Sequence, residues 1–358
     1  MRIFSYRNKV RLRRAGLIVL VCALVLAVAS IAYIVYLGRY MVYSSDGAHL
    51  ALPGSEADAG TTDVSSDAPH PTGEYVVGEQ TERPQTPQPA APETPTDTAA
   101  PTALGAGYYL STTDLRDSAA RDQLVTLLDE REDQDTAAVV LVDVKSEFGN
   151  FYYSSSLTDA PNADADIAAI GSFLSELAAR PDVYLIARVP AFRDTAYALS
   201  HTDRALALPS GALWADSGGC YWLDPSNELV ADRLAALCTD LSVLGADEVM
   251  FSDFCFPDAE NITFDGDREA AVKSAMESVA AASPVPVSLS FTGNETSFAA
   301  AASCAHVCLS ADDGGGISAA LAPLGGLLTD EASQVIFLTA SRDTRFDAYL
   351  RLRPVTES

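Results

Sequence analysis

A (β/α)8 barrel is the fold predicted for residues 104–358, and three observations predict it. Short apolar runs alternate there with amphipathic segments rich in Ala and Leu, the pattern of repeated β/α units. The runs VVLV, VYLI and VIFL are apolar without interruption, which suits parallel strands covered on both faces. The stretch of about 255 residues is also close to the length of such a barrel.

Strands are expected at 107–111, 138–144, 183–189, 248–254, 285–291, 306–310 and 334–340. Helical patterns fall between them at 115–130, 167–179, 230–244, 268–282, 297–303 and 317–327. An eighth strand is not marked by the pattern. It lies near Tyr349-Leu350-Arg351-Leu352, or the barrel is incomplete and degenerate. An open doubly wound sheet is the alternative, but no Gly-rich phosphate fingerprint follows Ser111.

Ahead of the barrel the chain changes character three times. Residues 1–14 form a basic tail with Arg2, Arg7, Lys9, Arg11, Arg13 and Arg14. Residues 15–37 carry no charge and, at about 1.5 Å per residue, span a hydrocarbon core of about 30 Å as a helix. Ala27-Val28-Ala29 resembles a signal cleavage site, but the apolar run continues to Leu37, so the segment reads as a retained signal anchor. Basic residues before it and only Arg39 just after it orient the tail to the cytoplasm and the barrel outward. The expected location is therefore the cell membrane, crossed once. From 44 to 103 the chain is rich in Pro, Thr, Ala and acidic residues and reads as a disordered stalk, roughly 40 Å long as a coil.

All 49 acidic residues lie beyond the anchor, where, Arg39 beside it set aside, they face 16 basic ones. Such a surface repels polyanions, so nucleic acid is excluded as a partner. Outside the anchor stand Cys220, Cys238, Cys255, Cys304 and Cys308, an odd number without a CxxC pair, which argues against a disulfide framework. Cys304 and Cys308, four apart on a strand, would sit about 13 Å from each other. Most of these cysteines are expected to be small buried apolar residues.

Barrel ligands meet the C-terminal ends of strands. Those ends carry Asp143 and Lys145, which strand period two puts on one face, then Arg188, Ser252, Asp253, Ser288 and Ser290. Asp143 is the best-positioned carboxylate, with Arg188 to orient it or a substrate hydroxyl. The bland alternative is a structural pair of Asp143 with Lys145 or Arg188. Asp194 reads as a helix cap. Trp214 and Trp222 flank the loop Asp216-Ser217-Gly218-Gly219, where indoles either stack on sugar rings or pack in the core. Asp312-Asp313-Gly314-Gly315-Gly316 reads as an acidic turn rather than a metal site, and no cofactor or metal is expected.

Four blocks resemble a family of uncharacterised glycoside hydrolase-type TIM-barrel domains common in bacterial envelopes. They are VLVDVKSEFGNFYY at 140–153, YLIARVPAFRD at 184–194, GALWADSGGCYWLDP at 211–225 and LGADEVMFSDFCFP at 244–257. The resemblance covers mainly residues 107–257 and implies a glycan ligand, polysaccharide or peptidoglycan. Its fourth-strand pattern resembles FDYIRFP, which puts Ser252 at the acidic position and Cys255 at the basic one. Its fifth-strand Ser-x-Asp pattern puts Ser290 where an Asp is expected. Asp253 is displaced by one residue, so strand alternation would aim it at the opposite face unless a bulge intervenes.

The strand-end positions and the loop tryptophans leave Asp143 and Asp253 as candidate catalytic carboxylates, and Lys145, Arg188, Trp214 and Trp222 as candidate substrate contacts. Hydrolysis ordinarily needs two carboxyl groups. A carbohydrate-binding pseudoenzyme is therefore the alternative to an active hydrolase. A luminal glycosyltransferase is a third class, resting on the anchor-and-stem architecture and on Asp164-Ala165-Asp166, which also reads as a helix start.

Overall fold

The structure is a computed structural model that describes residues 41–44, 47–50, 103–132, 135–292, 295 and 298–356. The tail at 1–14 and the anchor at 15–37 lie outside the described residues. So does the stalk at 44–103, apart from Ser44, Gly47–Leu50 and Ala103. Among the described residues, no helix is long and apolar enough to cross a membrane. The chain divides into two units, Met1–Pro89 and Ala90–Ser358. In the first, Met41–Ser44 and Gly47–Leu50 pair antiparallel, with Met41 opposite Leu50.

The second unit is a closed barrel of eight parallel strands. In chain order they are β1 Leu104–Leu110, β2 Ala137–Asp143, β3 Val183–Pro190 and β4 Glu248–Ser252. They continue as β5 Val287–Ser290, β6 Val307–Ser310, β7 Val335–Leu338 and β8 Leu350–Pro354. The eighth strand, unmarked by apolar periodicity, follows Tyr349 and closes the ring by setting Leu352 beside Gly107. A Cβ on Gly107 would meet the Val139 carbonyl oxygen at 1.7 Å, so only glycine fits where β1 shifts register against β2.

Period two explains both layers of the core. Val139, Leu141, Ile186, Met250, Cys308, Ile336 and Leu352 fill the barrel interior. The alternate residues, among them Val140, Leu185, Val249, Leu289, Val307 and Val335, pack outward under the helices. Burial on both faces is why the runs are apolar throughout. The main helices are α1 Ser118–Asp129, α2 Ile167–Ala178, α3 Glu228–Leu244 and α4 Arg268–Ala282. On α3, Leu234, Leu237 and Leu241 recur at helical spacing on the buried face, each burial contributing roughly 1.5–3 kcal/mol.

The expected helix at 115–130 is broken at Asp117, whose extended backbone and side-chain bond to Ala119 N restart it as α1. The second half of the barrel has thinner cover. The segments expected at 297–303 and 317–327 form a 3₁₀ turn, Ala299–Ser303, and a five-residue helix, Ile317–Leu321, with a 3₁₀ turn after it. Pro323 and the glycines at 314–316 and 325–326 limit helix length there.

Buried Asp240 on α3 ties the loop after β2 to the barrel. It accepts from Tyr153 Oη at 2.8 Å, Ser155 Oγ at 2.6 Å and Ser156 N at 3.0 Å. Burial works against its charge, but these hydrogen bonds outweigh it and keep the carboxyl below its ordinary pKa. Among the described cysteines none is bonded to another, and Cys220, Cys238, Cys304 and Cys308 are buried, in line with their reading as small apolar residues.

Candidate active site at the strand ends

Asp143 ends β2, and the parallel register sets it beside Arg188 of β3. Arg188 Nε donates to Asp143 Oδ1 at 2.6 Å and Nη2 to Oδ2 at 3.0 Å, the two-pronged geometry that matches guanidinium to carboxylate. Tyr109 Oη, from β1, donates to Asp143 Oδ2 at 2.7 Å and accepts from Arg188 Nη2 at 2.8 Å. Arg188 Nη1 reaches Ser290 Oγ on β5 at 3.3 Å. One cluster therefore joins four strands across the C-terminal mouth. Burial and the Asp143 charge push the Tyr109 phenol well above its ordinary pKa, which keeps it a donor.

Strand alternation does not carry through to Asp253. β4 ends at Ser252, and Asp253 takes a left-handed backbone conformation, φ 50°. This turn interrupts the period that would have aimed the side chain at the opposite face. Ser252 Oγ donates to Asp253 Oδ2 at 3.2 Å. Burial raises the Asp253 pKa, Glu295 and Glu147 raise it further, and the opposing pull of Arg193 and Ser252 is insufficient to reverse the shift. Glu147, Arg193 and Glu295 lie beyond the ends of β2, β3 and β5, so Asp253 sits among the loops of the C-terminal face.

Arg193 is held by the loop that carries the tryptophans. Its Nε donates to Asp216 Oδ2 at 2.7 Å, and Asp216 Oδ1 accepts from Gly218 N and Cys220 N at 2.8 and 3.0 Å. A Cβ on Gly218 would lie 2.9 Å from Arg193 Nη2, so glycine leaves room for the guanidinium.

The other sequence candidates lie elsewhere. Lys145, expected to share a face with Asp143, follows the strand end, where period two no longer governs. Its Nζ is enclosed against Asp194 Oδ2 at 2.8 Å and the Pro190 carbonyl at 3.1 Å, with 2% of its side chain exposed. Trp214 and Trp222 are 8% and 7% exposed and meet edge to face, with centroids 6.2 Å apart. Their indole N–H groups donate to Asn261 Oδ1 and Asp216 Oδ2. They line the packing between loop and barrel rather than an open surface.

Asp194 caps the helix Thr195–Ser200 and Asp166 caps α2. Asp313 caps its own turn through Gly315 N. Among the described residues no three His, Cys, Asp or Glu side chains gather around a metal position.

The mouth can therefore offer two carboxyl groups in opposite surroundings. Asp143 is ion-paired and fixed, whereas Asp253 holds its proton more tightly than usual. Sequence reasoning missed Tyr109, Glu147, Arg193 and Glu295. Only Tyr109 left a signal, since alternation from Gly107 points it inward.

A family model described as "Putative glycosyl hydrolase domain" matches residues 107–290, about half of the chain. A hypothetical protein of Ruminiclostridium thermocellum is similar in structure, with a TM-score of 0.44 and 19% identity over 51% of this chain and 96% of that one. An α-galactosidase of Thermus thermophilus aligns with a TM-score of 0.38 and 18% identity over 62% of this chain and 47% of that one. An α-L-fucosidase of Paenibacillus thiaminolyticus aligns with a TM-score of 0.45 and 12% identity over 70% of this chain and 46% of that one. The chain thus spans under half the length of these two enzymes. No curated protein matches it.

Proposed function

This chain belongs to that glycosyl hydrolase-type family, and from that premise we propose that it is a membrane-tethered hydrolase of an envelope glycan, polysaccharide or peptidoglycan. The observation that carries the reading is the contrast between Asp143 and Asp253. In glycosidases one carboxyl protonates the leaving oxygen while the other, ionised, attacks the sugar or activates water. Asp253, with its raised pKa, is the proton donor in this scheme. Asp143, gripped by Arg188 and Tyr109, is the fixed carboxylate that meets the developing positive charge.

One observation favours a second reading, glycan binding without turnover. Both Asp143 oxygens already accept hydrogen bonds, and the resemblance seen in the sequence implies acids at the positions of Ser252 and Ser290. Incubating the full chain with wall polysaccharides and peptidoglycan separates the two. Release of reducing ends that stops in Asp253→Asn supports hydrolysis. Saturable binding with no release supports the second reading. Neither binding nor release sinks both.

The tether itself rests on the uncharged run at 15–37 and its basic flank. Protease added to intact cells is expected to remove residues 104–358 and spare the tail. Survival of that domain would overturn the outward orientation.

A further inference from the structure

The segments that lead into β1, β6, β7 and β8 meet at the N-terminal end of the barrel. A cavity of about 660 Å³ opens there, beneath the starts of β1, β6, β7 and β8. That volume falls within the usual range for small-molecule pockets, about 300–1,000 Å³. His306, Ser333, Gln334, Asp347, Tyr349 and Arg351 line it. None of these residues takes part in the mouth at the opposite end.

Its polar groups are fixed in orientation. Glu248, with no exposed surface, accepts from Tyr184 Oη at 3.0 Å and holds His306 Nδ1 at 2.8 Å, which leaves Nε2 as the ring nitrogen for the cavity. Glu248 Oε1 is buried and has no hydrogen-bond partner among the described residues. Glu248 does not itself line the cavity, so its part there is to orient His306. Gln334 Oε1 accepts from Thr329 N and Asp330 N, so its amide NH₂ is the end free to donate.

The charges balance in pairs: Arg351 Nη2 with Asp347 Oδ1 at 3.3 Å, and His306 with Glu248. Paired charges offer donors and acceptors without a net field for an ion. Tyr349 adds an aromatic surface, half-buried edge-on against Phe337 with its hydroxyl tied to Glu331. Apolar CH faces of a sugar ring pack on such a ring while planar polar side chains bond its hydroxyls.

We propose that this floor cavity is a second binding site, for a neutral saccharide of one or two rings. It acts as a holding site at the opposite end of the barrel from the strand-end mouth, and it does not depend on hydrolysis there.

The test titrates the full chain with cellobiose and with N,N′-diacetylchitobiose while following the His306 imidazole by NMR. Saturable shifts of that ring in the millimolar range or tighter are expected with at least one probe. Tyr349→Ala should weaken binding about fivefold or more. Ala348→Phe fills the cavity from its exposed rim without removing a core contact, and should abolish the shifts while the fold is kept. Unmoved His306 signals with both probes would overturn the proposal, as would unchanged binding in Ala348→Phe. An equal response to inorganic phosphate would overturn the neutral class of ligand. Loss of hydrolysis is read at the other mouth, so each proposal fails separately.

Discussion

Replacing Lys145 by methionine is expected to lower the unfolding free energy by about 3–5 kcal/mol, a large part of the 5–15 kcal/mol typical of a folded domain. The pair it forms with Asp194 is enclosed, with side-chain exposures of 2% and 7% and a separation of 2.8 Å. Asp194 Oδ1 also accepts from Tyr197 N at 3.0 Å, and Lys145 Nζ donates to Pro190 O. Methionine matches the stem but leaves Asp194 Oδ2 charged and unpaired in a site that water does not reach. The cost comes from that stranded carboxylate more than from the lost bond. The double variant Lys145→Met, Asp194→Asn should therefore recover much of the loss, because no charge remains buried. Denaturant unfolding of the three variants beside the wild type measures this. A single variant within 1 kcal/mol of wild type would show that solvent reaches the pair.

The second large effect falls on turnover. On the proposed hydrolase reading, Asp253→Asn keeps the shape of the side chain but removes its proton, so glycan hydrolysis is expected to fall by about 10²–10⁴-fold while binding persists. The same variant should behave in the opposite sense towards stability. Burial, Glu295 and Glu147 raise the Asp253 pKa above its ordinary 3.8, so the folded state binds this proton more tightly than the unfolded chain. That contribution is fully present below 3.8 and is lost as pH rises through the folded value. At neutral pH the unfolded carboxyl is ionised, so a carboxyl whose proton is held more tightly on folding weighs against the fold, by about 1.4 kcal/mol for every tenfold gain in proton affinity. Asn carries no such charge, so the variant should melt higher than wild type at pH 7, and the gap should close towards pH 4. Full activity in Asp253→Asn would falsify the acid role, and an unchanged gap across pH would remove its electrostatic basis.

By itself the sequence determined the barrel, because burial on both faces of a parallel strand is written locally as an uninterrupted apolar run. VVLV, VYLI and VIFL became β2, β3 and β7, and the helical spacing of Leu234, Leu237 and Leu241 became the buried face of α3. Asp143 and Arg188 were also legible as a pair, since both end their strands on the inward phase and neighbouring parallel strands bring such residues together. The rest depended on contacts between segments far apart in the chain. β8 carries Arg351 and Arg353 among its residues and gains its identity from pairing with β1 and β7. Tyr109 reaches Asp143 because the register of β1 against β2, which shifts between Gly105 and Tyr108, brings their ends together. Lys145 and Asp253 stand just past strand ends, where the two-residue period stops and a buried ion pair or a left-handed residue sets direction instead. The tryptophans turn inward because the long loop after β3 folds back on itself, with Arg193 beside Trp222 and Ala215 beside Tyr221. Periodicity records how often a position is buried; which neighbour buries it is set by closure, register and loop packing, which belong to the tertiary structure.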